Sequence, residues 1–231
     1  NEILLKIEAC GVCHSQLHGI EGDWLDIGIP PALPTVPGHE VVGKIIEIGK
    51  DVTKFKVGDR AGITPLLEAC QKCQYCLEGK EYLCESSIIT GESFKGGYTE
   101  YITVTENFAT KVPESMKAEY AAPLFCAGIT AYKAVKAAEP KQDKKIGIFG
   151  IGGVGHMAVQ FAKVENCDVI AFSRTQSHLD VAKRLGANDA MKFTENQDEF
   201  LSTLKEKHGT LDAAIVFAPA DIVTDTAIKS V

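Results

Sequence analysis

Lys145-Ile146-Gly147-Ile148-Phe149-Gly150-Ile151-Gly152-Gly153-Val154-Gly155 decides how the second half of this 231-residue chain folds. A short apolar run enters a glycine-rich turn, and Gly153 to Val164 then reads as a helix. An unbroken apolar strand is what a sheet buried on both faces requires. In the GxGxxG pattern the first glycine makes the tight turn, the second lets backbone approach a pyrophosphate, and the third lets helix and strand pack closely. The first N–H groups of the helix would then face the phosphates. A tight turn without a ligand is the alternative, but strand, turn, helix and second strand in this order favour a dinucleotide.

Strand and helix keep alternating downstream: Asp168 to Phe172 then Ser177 to Leu185, Asp189 to Phe193 then Gln197 to Lys207, and Ala213 to Ala218 before a helix starting near Asp221. Such βα units in series predict a parallel sheet covered on both faces. A complete doubly wound domain has about six strands, so this one is expected to be truncated. The opening Asn1, which stands within what reads as a strand, implies missing residues upstream as well. At the end of the second strand, where an acidic residue would bind the ribose 2'-hydroxyl of NAD, the chain has Ser173-Arg174. A hydroxyl and a cation suit a 2'-phosphate, which favours NADP(H) over NAD(H), with a solvated turn arginine as the alternative.

The first half is β-rich. Apolar alternation or short apolar runs at Ile3 to Ile7, Val41 to Ile48 and Tyr98 to Val104 are separated by Ile29-Pro30-Pro31, Pro34 to Gly38, Gly58-Asp59 and Gly96-Gly97. A twisted sheet or partly open barrel carrying functional loops follows. The character changes near Pro113, and the Ala-rich stretch Ala118 to Ala138 reads as one helical segment. With 45% hydrophobic and 24% charged residues the composition is that of a globular protein, and the net charge of -7 argues against nucleic acid or an anionic membrane as partner. No apolar run approaches the roughly 18 residues of a membrane span.

Four of the eight cysteines crowd into Cys70-x2-Cys73-x2-Cys76-x7-Cys84. Four soft ligands on one loop match a closed structural zinc site, with an iron–sulfur cluster or strained disulfides as rivals. This use of cysteine points to a reducing compartment, the cytoplasm. Near the start, Gly11-Val12-Cys13-His14-Ser15-Gln16-Leu17-His18 puts a thiol, a hydroxyl and imidazoles within a few positions, the groups that bind zinc and move protons. Gly38-His39-Glu40, just before a strand, offers a further imidazole with a carboxylate beside it, or simply a loop His and a surface Glu.

Taken together, these segments resemble the zinc-dependent alcohol dehydrogenases of the medium-chain dehydrogenase/reductase superfamily, along essentially the whole chain. The resemblance implies a β-rich GroES-like catalytic domain, residues 1–127, followed by an incomplete Rossmann domain, residues 128–231, with a catalytic zinc in the cleft between them. It implies Cys13, His39 and Cys126, the last in Pro123-Leu124-Phe125-Cys126-Ala127-Gly128, as ligands of that zinc, with Glu40 nearby and the Cys70 to Cys84 loop holding a second, structural zinc. The choice of Cys13 over Cys10 comes from the resemblance alone. So do Ser15 as proton-relay hydroxyl, His18 as its outer base, His14 beside the pyrophosphate, Trp24 as a substrate-pocket wall, and Thr130 and Val154 as nicotinamide contacts. The implied reaction interconverts a small alcohol and an aldehyde or ketone, in a homodimer or homotetramer when full length.

The chain departs from the family at Gln16, where an acidic residue usually orients the zinc-bound His. Gln can accept a hydrogen bond but brings no charge, so reduced zinc affinity or turnover is expected. A zinc-stabilised nucleotide-binding protein without dehydrogenase activity stays open as an alternative, as does a cysteine-based redox or metal sensor. Cys10 and Cys167 read as small apolar residues.

Overall fold

The computed structural model describes residues 1–27, 33–92 and 95–231; the expected turn at Ile29-Pro30-Pro31 lies outside the described residues. The chain divides into two compact units, Asn1–Cys126 and Ala127–Val231.

The first unit runs β1 (Glu2–Gly11), α1 (His14–Glu21), β2 (Glu40–Ile48), β3 (Arg60–Ile63), β4 (Leu66–Glu68), the single turn α2 (Gln74–Leu77), β5 (Ile88–Ile89), β6 (Tyr101–Thr105), β7 (Ala109–Lys111) and the single turn α3 (Ala118–Ala121). Five strands form an antiparallel sheet in the order β6-β1-β2-β3-β7, and β4 pairs with β5 apart from it. Alternation in β1 turns Ile3 and Leu5 into the core; Ile3 stands opposite Ile48 and Val104, and Leu5 opposite Ile45 and Ile102. Fully burying a side chain such as Leu5 stabilises the fold by roughly 1.5–3 kcal/mol. The β1–β2 ladder closes on the pair Gly11 and Glu40, so the residues that follow Gly11 and precede Glu40 leave the sheet side by side.

The expected helix from Ala118 to Ala138 is not continuous. It breaks into α3, a 3-10 turn at Ala122–Phe125, and a helix that opens the second unit, with Cys126 at φ -130, ψ -72 in the break. Pro123 supplies no N–H and its ring crowds the preceding turn, so an α-helix cannot run through it. The strand expected from Tyr98 starts at Tyr101. Helix α1 and strands β3, β4, β5 and β7 were not anticipated: all but α1 have four residues or fewer, too short to show a period.

The second unit runs α4 (Ala127–Ala137), β8 (Lys145–Phe149), α5 (Gly155–Val164), β9 (Asp168–Ser173), α6 (Gln176–Arg184), β10 (Asp189–Lys192), α7 (Gln197–His208), β11 (Ala213–Val216) and α8 (Asp221–Lys229). The strands form a parallel sheet in the order β10-β9-β8-β11. Period-two alternation splits each central strand between two cores. Ile146, Ile148, Val169 and Ala171 pack with Val135, Val159 and Ala182 of α4, α5 and α6, while Phe149, Ile170 and Phe172 pack with Phe200, Leu204 and Val223 of α7 and α8. Helices on both faces explain why these strands read as unbroken apolar runs. Among the described residues no helix is long and apolar enough to cross a membrane.

Candidate functional site

The end of the β1–β2 ladder builds the first cluster. Glu40 is almost fully buried, and a Cβ on Gly11 would overlap its carboxylate, so only glycine fits opposite it. Past Gly11, Cys13 stands in extended conformation at the N-terminus of α1 and makes no capping bond with its side chain. Its sulfur lies 3.7 Å from that of Cys126 and accepts a hydrogen bond from Ser15 Oγ at 3.2 Å. Ser15 Oγ is also 3.4 Å from Nε2 of the buried His39. One ligand atom from each of Cys13, His39, Glu40 and Cys126 falls within 4.8 Å of the others.

These distances suit a metal ion. Two thiolates at about 2.3 Å from a tetrahedral ion stand about 3.8 Å apart, against about 2.05 Å in a disulfide. All eight cysteines are free thiols. The Cys126 thiol, then the His39 ring and the Ser15 hydroxyl, hold Cys13 far down, to about 3, whereas the Cys13 sulfur and then burial push Cys126 well up. One thiolate therefore forms readily, and a cation is what would let both sulfurs shed their protons together. What brings Cys126 here is the broken helix: Phe125 lies so close on Gly62 of β3 that a Cβ there would come within 2.0 Å of its Cζ.

Cys70, Cys73, Cys76 and Cys84 form the second such cluster, carried by α2 and the loops that join β4 to β5. Cys70 and Cys76 sulfurs are 3.9 Å apart and those of Cys73 and Cys76 3.5 Å, again ligand spacing and not disulfide spacing. Backbone N–H groups of Lys72 and Cys73 bring the Cys70 thiol down to about 6, while burial pushes Cys76 up to about 12. With all four positions supplied by sulfur, no place is left for a substrate.

In the second unit the glycine turn separates by role. Gly150 has φ +96 and its Cβ would meet the backbone of Ala218 at 2.8 Å; a Cβ on Gly155 would overlap the Gly150 carbonyl. The fold itself requires both. Gly152 and Gly153 are exposed with nothing within 4 Å of a Cβ, so open space lies over the start of α5. Val154 at the N-cap supplies no side-chain acceptor for the first N–H groups of α5, which suits an anion. A cavity of about 290 Å³ adjoins the turn, lined among others by Gly150, Gly152, Ser173, Arg174 and His178. Ser173 is buried and accepts the Thr175 N–H at 3.3 Å; Arg174 is exposed and has no ion pair among the described residues.

Residues 1–114 match the family profile of the alcohol dehydrogenase GroES-like domain, and residues 153–231 that of the zinc-binding dehydrogenases. An alcohol dehydrogenase of Geobacillus stearothermophilus is 44% identical over 230 residues, covering 100% of this chain and 67% of the relative. The chain belongs to the zinc-type medium-chain alcohol dehydrogenases. Solved structures of this kind include the CAD from Helicobacter pylori complexed with NADP(H), at 32% identity and TM-score 0.83, covering 95% of this chain and 62% of that one. Acetophenone reductase from Geotrichum candidum in complex with NAD is 31% identical at TM-score 0.84, covering 100% of this chain and 64% of that one. The chain thus spans about two thirds of the length of these relatives. The antiparallel unit is the GroES-like fold of the family and the parallel unit its Rossmann-like fold.

His14, His18, Trp24, Thr130 and Val154 are not members of either ligand cluster. His18 Nδ1 bonds Asp23 at 2.6 Å, and its ring packs 4.6 Å from His14 and 6.2 Å from Trp24. Among the described residues no hydrogen bond joins Ser15 to His18 directly. Thr130 is exposed on α4, and Val154 is partly buried. Cys10 stays in the ladder opposite Val41, and burial pushes its thiol up, as it does that of Cys167. Sequence reading missed Asp23, Gly62, Phe125, His178 and Glu92. The Glu92 carboxyl is pushed up by burial and pulled the other way by His39. Only the position of His178, in the first turn of the helix that follows Ser173, carried a local signal.

Proposed function

We propose that the chain is the metal- and nucleotide-binding part of an oxidoreductase that interconverts a small alcohol and an aldehyde or ketone with NADP(H). The observation that carries this reading is the convergence of Cys13, His39 and Cys126, with the Ser15 hydroxyl bonded into the same cluster. Zinc held by those three residues would supply a Lewis acid for the substrate oxygen, and nicotinamide the hydride couple.

The chain's own groups supply the rest. Ser15 Oγ already donates to a thiol, so it is suited to hold or pass the substrate proton. His18, oriented by Asp23 and part-exposed, is suited as the outer base. His14, the wall at Trp24, and the contacts at Thr130 and Val154 are taken from the family. Glu40, buried beside the ligands, is suited to act as a neighbouring carboxyl group. Gly152 and Gly153 leave room for the pyrophosphate, with Gly150 and Gly155 fixing the turn. Relatives occur with NADP(H) and with NAD, so the coenzyme choice rests on Ser173 and the exposed Arg174 guanidinium, which has no ion pair among the described residues and suits a 2'-phosphate.

Metal analysis combined with an alcohol and aldehyde panel, run with each coenzyme, tests this. Two zinc ions per chain, one for each ligand cluster, and turnover preferring NADP(H) are expected. Arg174→Ala should weaken NADP(H) about tenfold and leave NAD(H) unchanged, as for the loss of a charge-assisted phosphate contact. A single zinc, held by the Cys70 to Cys84 cluster, with nucleotide binding and no turnover would favour the non-enzymatic alternative.

A further inference from the structure

Gln16 is a polar side chain buried in the first turn of α1, between two groups that make opposite demands on it. Its amide oxygen accepts the N–H of buried Gly38, and its amide nitrogen lies 2.9 Å from Nδ1 of His39. The assignment of the two amide atoms follows from Gly38, because a backbone N–H can only donate and so requires the oxygen. The same oxygen is packed tightly: a Cβ on Gly91 would meet it at 2.6 Å. The amide NH2 can only donate, so His39 Nδ1 must accept. In a neutral imidazole the proton then sits on Nε2, the nitrogen that faces Ser15 Oγ and the Cys13 sulfur. That nitrogen must be bare to ligate a metal.

We infer that Gln16 sets loading of the Cys13, His39 and Cys126 site against its own hydrogen bonds: as placed, the amide satisfies Gly38 with its oxygen and turns its NH2 to His39, so a metal-competent His39 requires the amide to leave that arrangement. If the proton moves to Nδ1, the NH2 faces it donor to donor. If the amide turns over to accept that proton, the buried Gly38 N–H loses its acceptor and faces an NH2 instead. A carboxylate of the same length has no such conflict, since its oxygens accept from Gly38 N–H and His39 Nδ1–H together. Gln16 is thus a positioning residue acting through His39, and it makes this metal site weaker and more readily stripped than the fold requires. The inference rests on the three-ligand reading proposed above.

Chelator competition on the intact chain, comparing wild type with Gln16→Glu, reads the effect as zinc retention. The variant should hold zinc at the Cys13 site about 10–100-fold more tightly, the usual range for a partner that orients a ligating His. The Cys70 to Cys84 zinc should be unchanged and reports that the unit is folded. Nitrogen-15 NMR of the His39 ring, after chelator has removed the weaker zinc, gives a readout independent of the variant: the proton should be on Nε2 in wild type. Equal or weaker retention in a folded Gln16→Glu protein, or a proton on Nδ1 in stripped wild type, overturns the inference. If the variant loses its Cys70 to Cys84 zinc, the wild-type ring alone decides. Failure of both proteins to bind a second zinc would show instead that the three-ligand reading is wrong, and the inference falls with it.

Discussion

Replacing Gly62 by alanine adds one carbon to the middle of β3, yet the effect should be felt at Cys126. The added Cβ would lie among Cζ, Cε2 and Cε1 of Phe125, closer than carbon atoms ever pack. Non-bonded carbons settle at about 3.5–4.0 Å, so the ring must back away by more than about 1 Å. Phe125 is buried at 9% exposure and belongs to the 3-10 turn that ends at Cys126, so the turn moves with it. Overpacking of this kind costs about 1–3 kcal/mol, offset by roughly 0.5–1 kcal/mol because alanine loses less chain entropy than glycine in a strand. The net loss should be about 1–2 kcal/mol in the first unit. The site is less forgiving than the fold, since metal ligands tolerate only about 0.2 Å of error and the Cys13 and Cys126 sulfurs now stand 3.7 Å apart. Urea unfolding together with zinc analysis after a chelator challenge measures both effects. The expected result is a lowered midpoint, loss of one zinc, and retention of the zinc at Cys70 to Cys84. A Gly62→Ala protein with wild-type midpoint and both zinc ions would show that Phe125 does not govern where Cys126 sits.

Gly155→Ala should lower dinucleotide affinity at least about tenfold by forcing the new Cβ against the Gly150 carbonyl and reshaping the turn, with both zincs kept; Gly153→Ala, which has open space, should leave thermal stability unchanged and still weaken the dinucleotide, both read by NADPH fluorescence and melting. Burial works against ionisation of Asp189, but hydrogen bonds from Lys183, the Ala190 N–H and His208 outweigh it and hold its carboxyl down to about 2, below the ordinary 3.8. Its stabilisation is therefore present above about pH 4 and lost as pH falls through about 2, so Asp189→Asn should cost about 1 kcal/mol at pH 7, after allowance for solvent screening, and almost nothing at pH 2 by urea unfolding.

The parts of this molecule that could be read from sequence are those whose causes are local. The parallel sheet announced itself because Ile146 and Ile148 face one core while Phe149 faces another, and a strand with two cores must be apolar throughout. The Cys70 to Cys84 cluster was visible because its four ligands share one short segment. The other ligand set is assembled from far apart. Cys13 and His39 are neighbours because β1 and β2 end in register at Gly11 and Glu40, and a one-residue slip would exchange the faces on which everything beyond them emerges. Spacing could not choose Cys13 over Cys10, yet the ladder separates them: Cys10 is still paired with Val41, and Cys13 has passed the last rung. Cys126 was hidden inside an alanine-rich run whose helix propensity masks the break at Pro123, a tertiary requirement that overrides local preference. Helix α1 was missed for a related reason, since its only buried residue is Gln16 and amphipathic patterns count apolar residues. The same feature that concealed the helix is the one that sets the chemistry of His39. Where a short element buries a polar side chain in place of an apolar one, its loss as a folding signal and its presence as a functional one have a single cause, the unpaired donors and acceptors that it must meet.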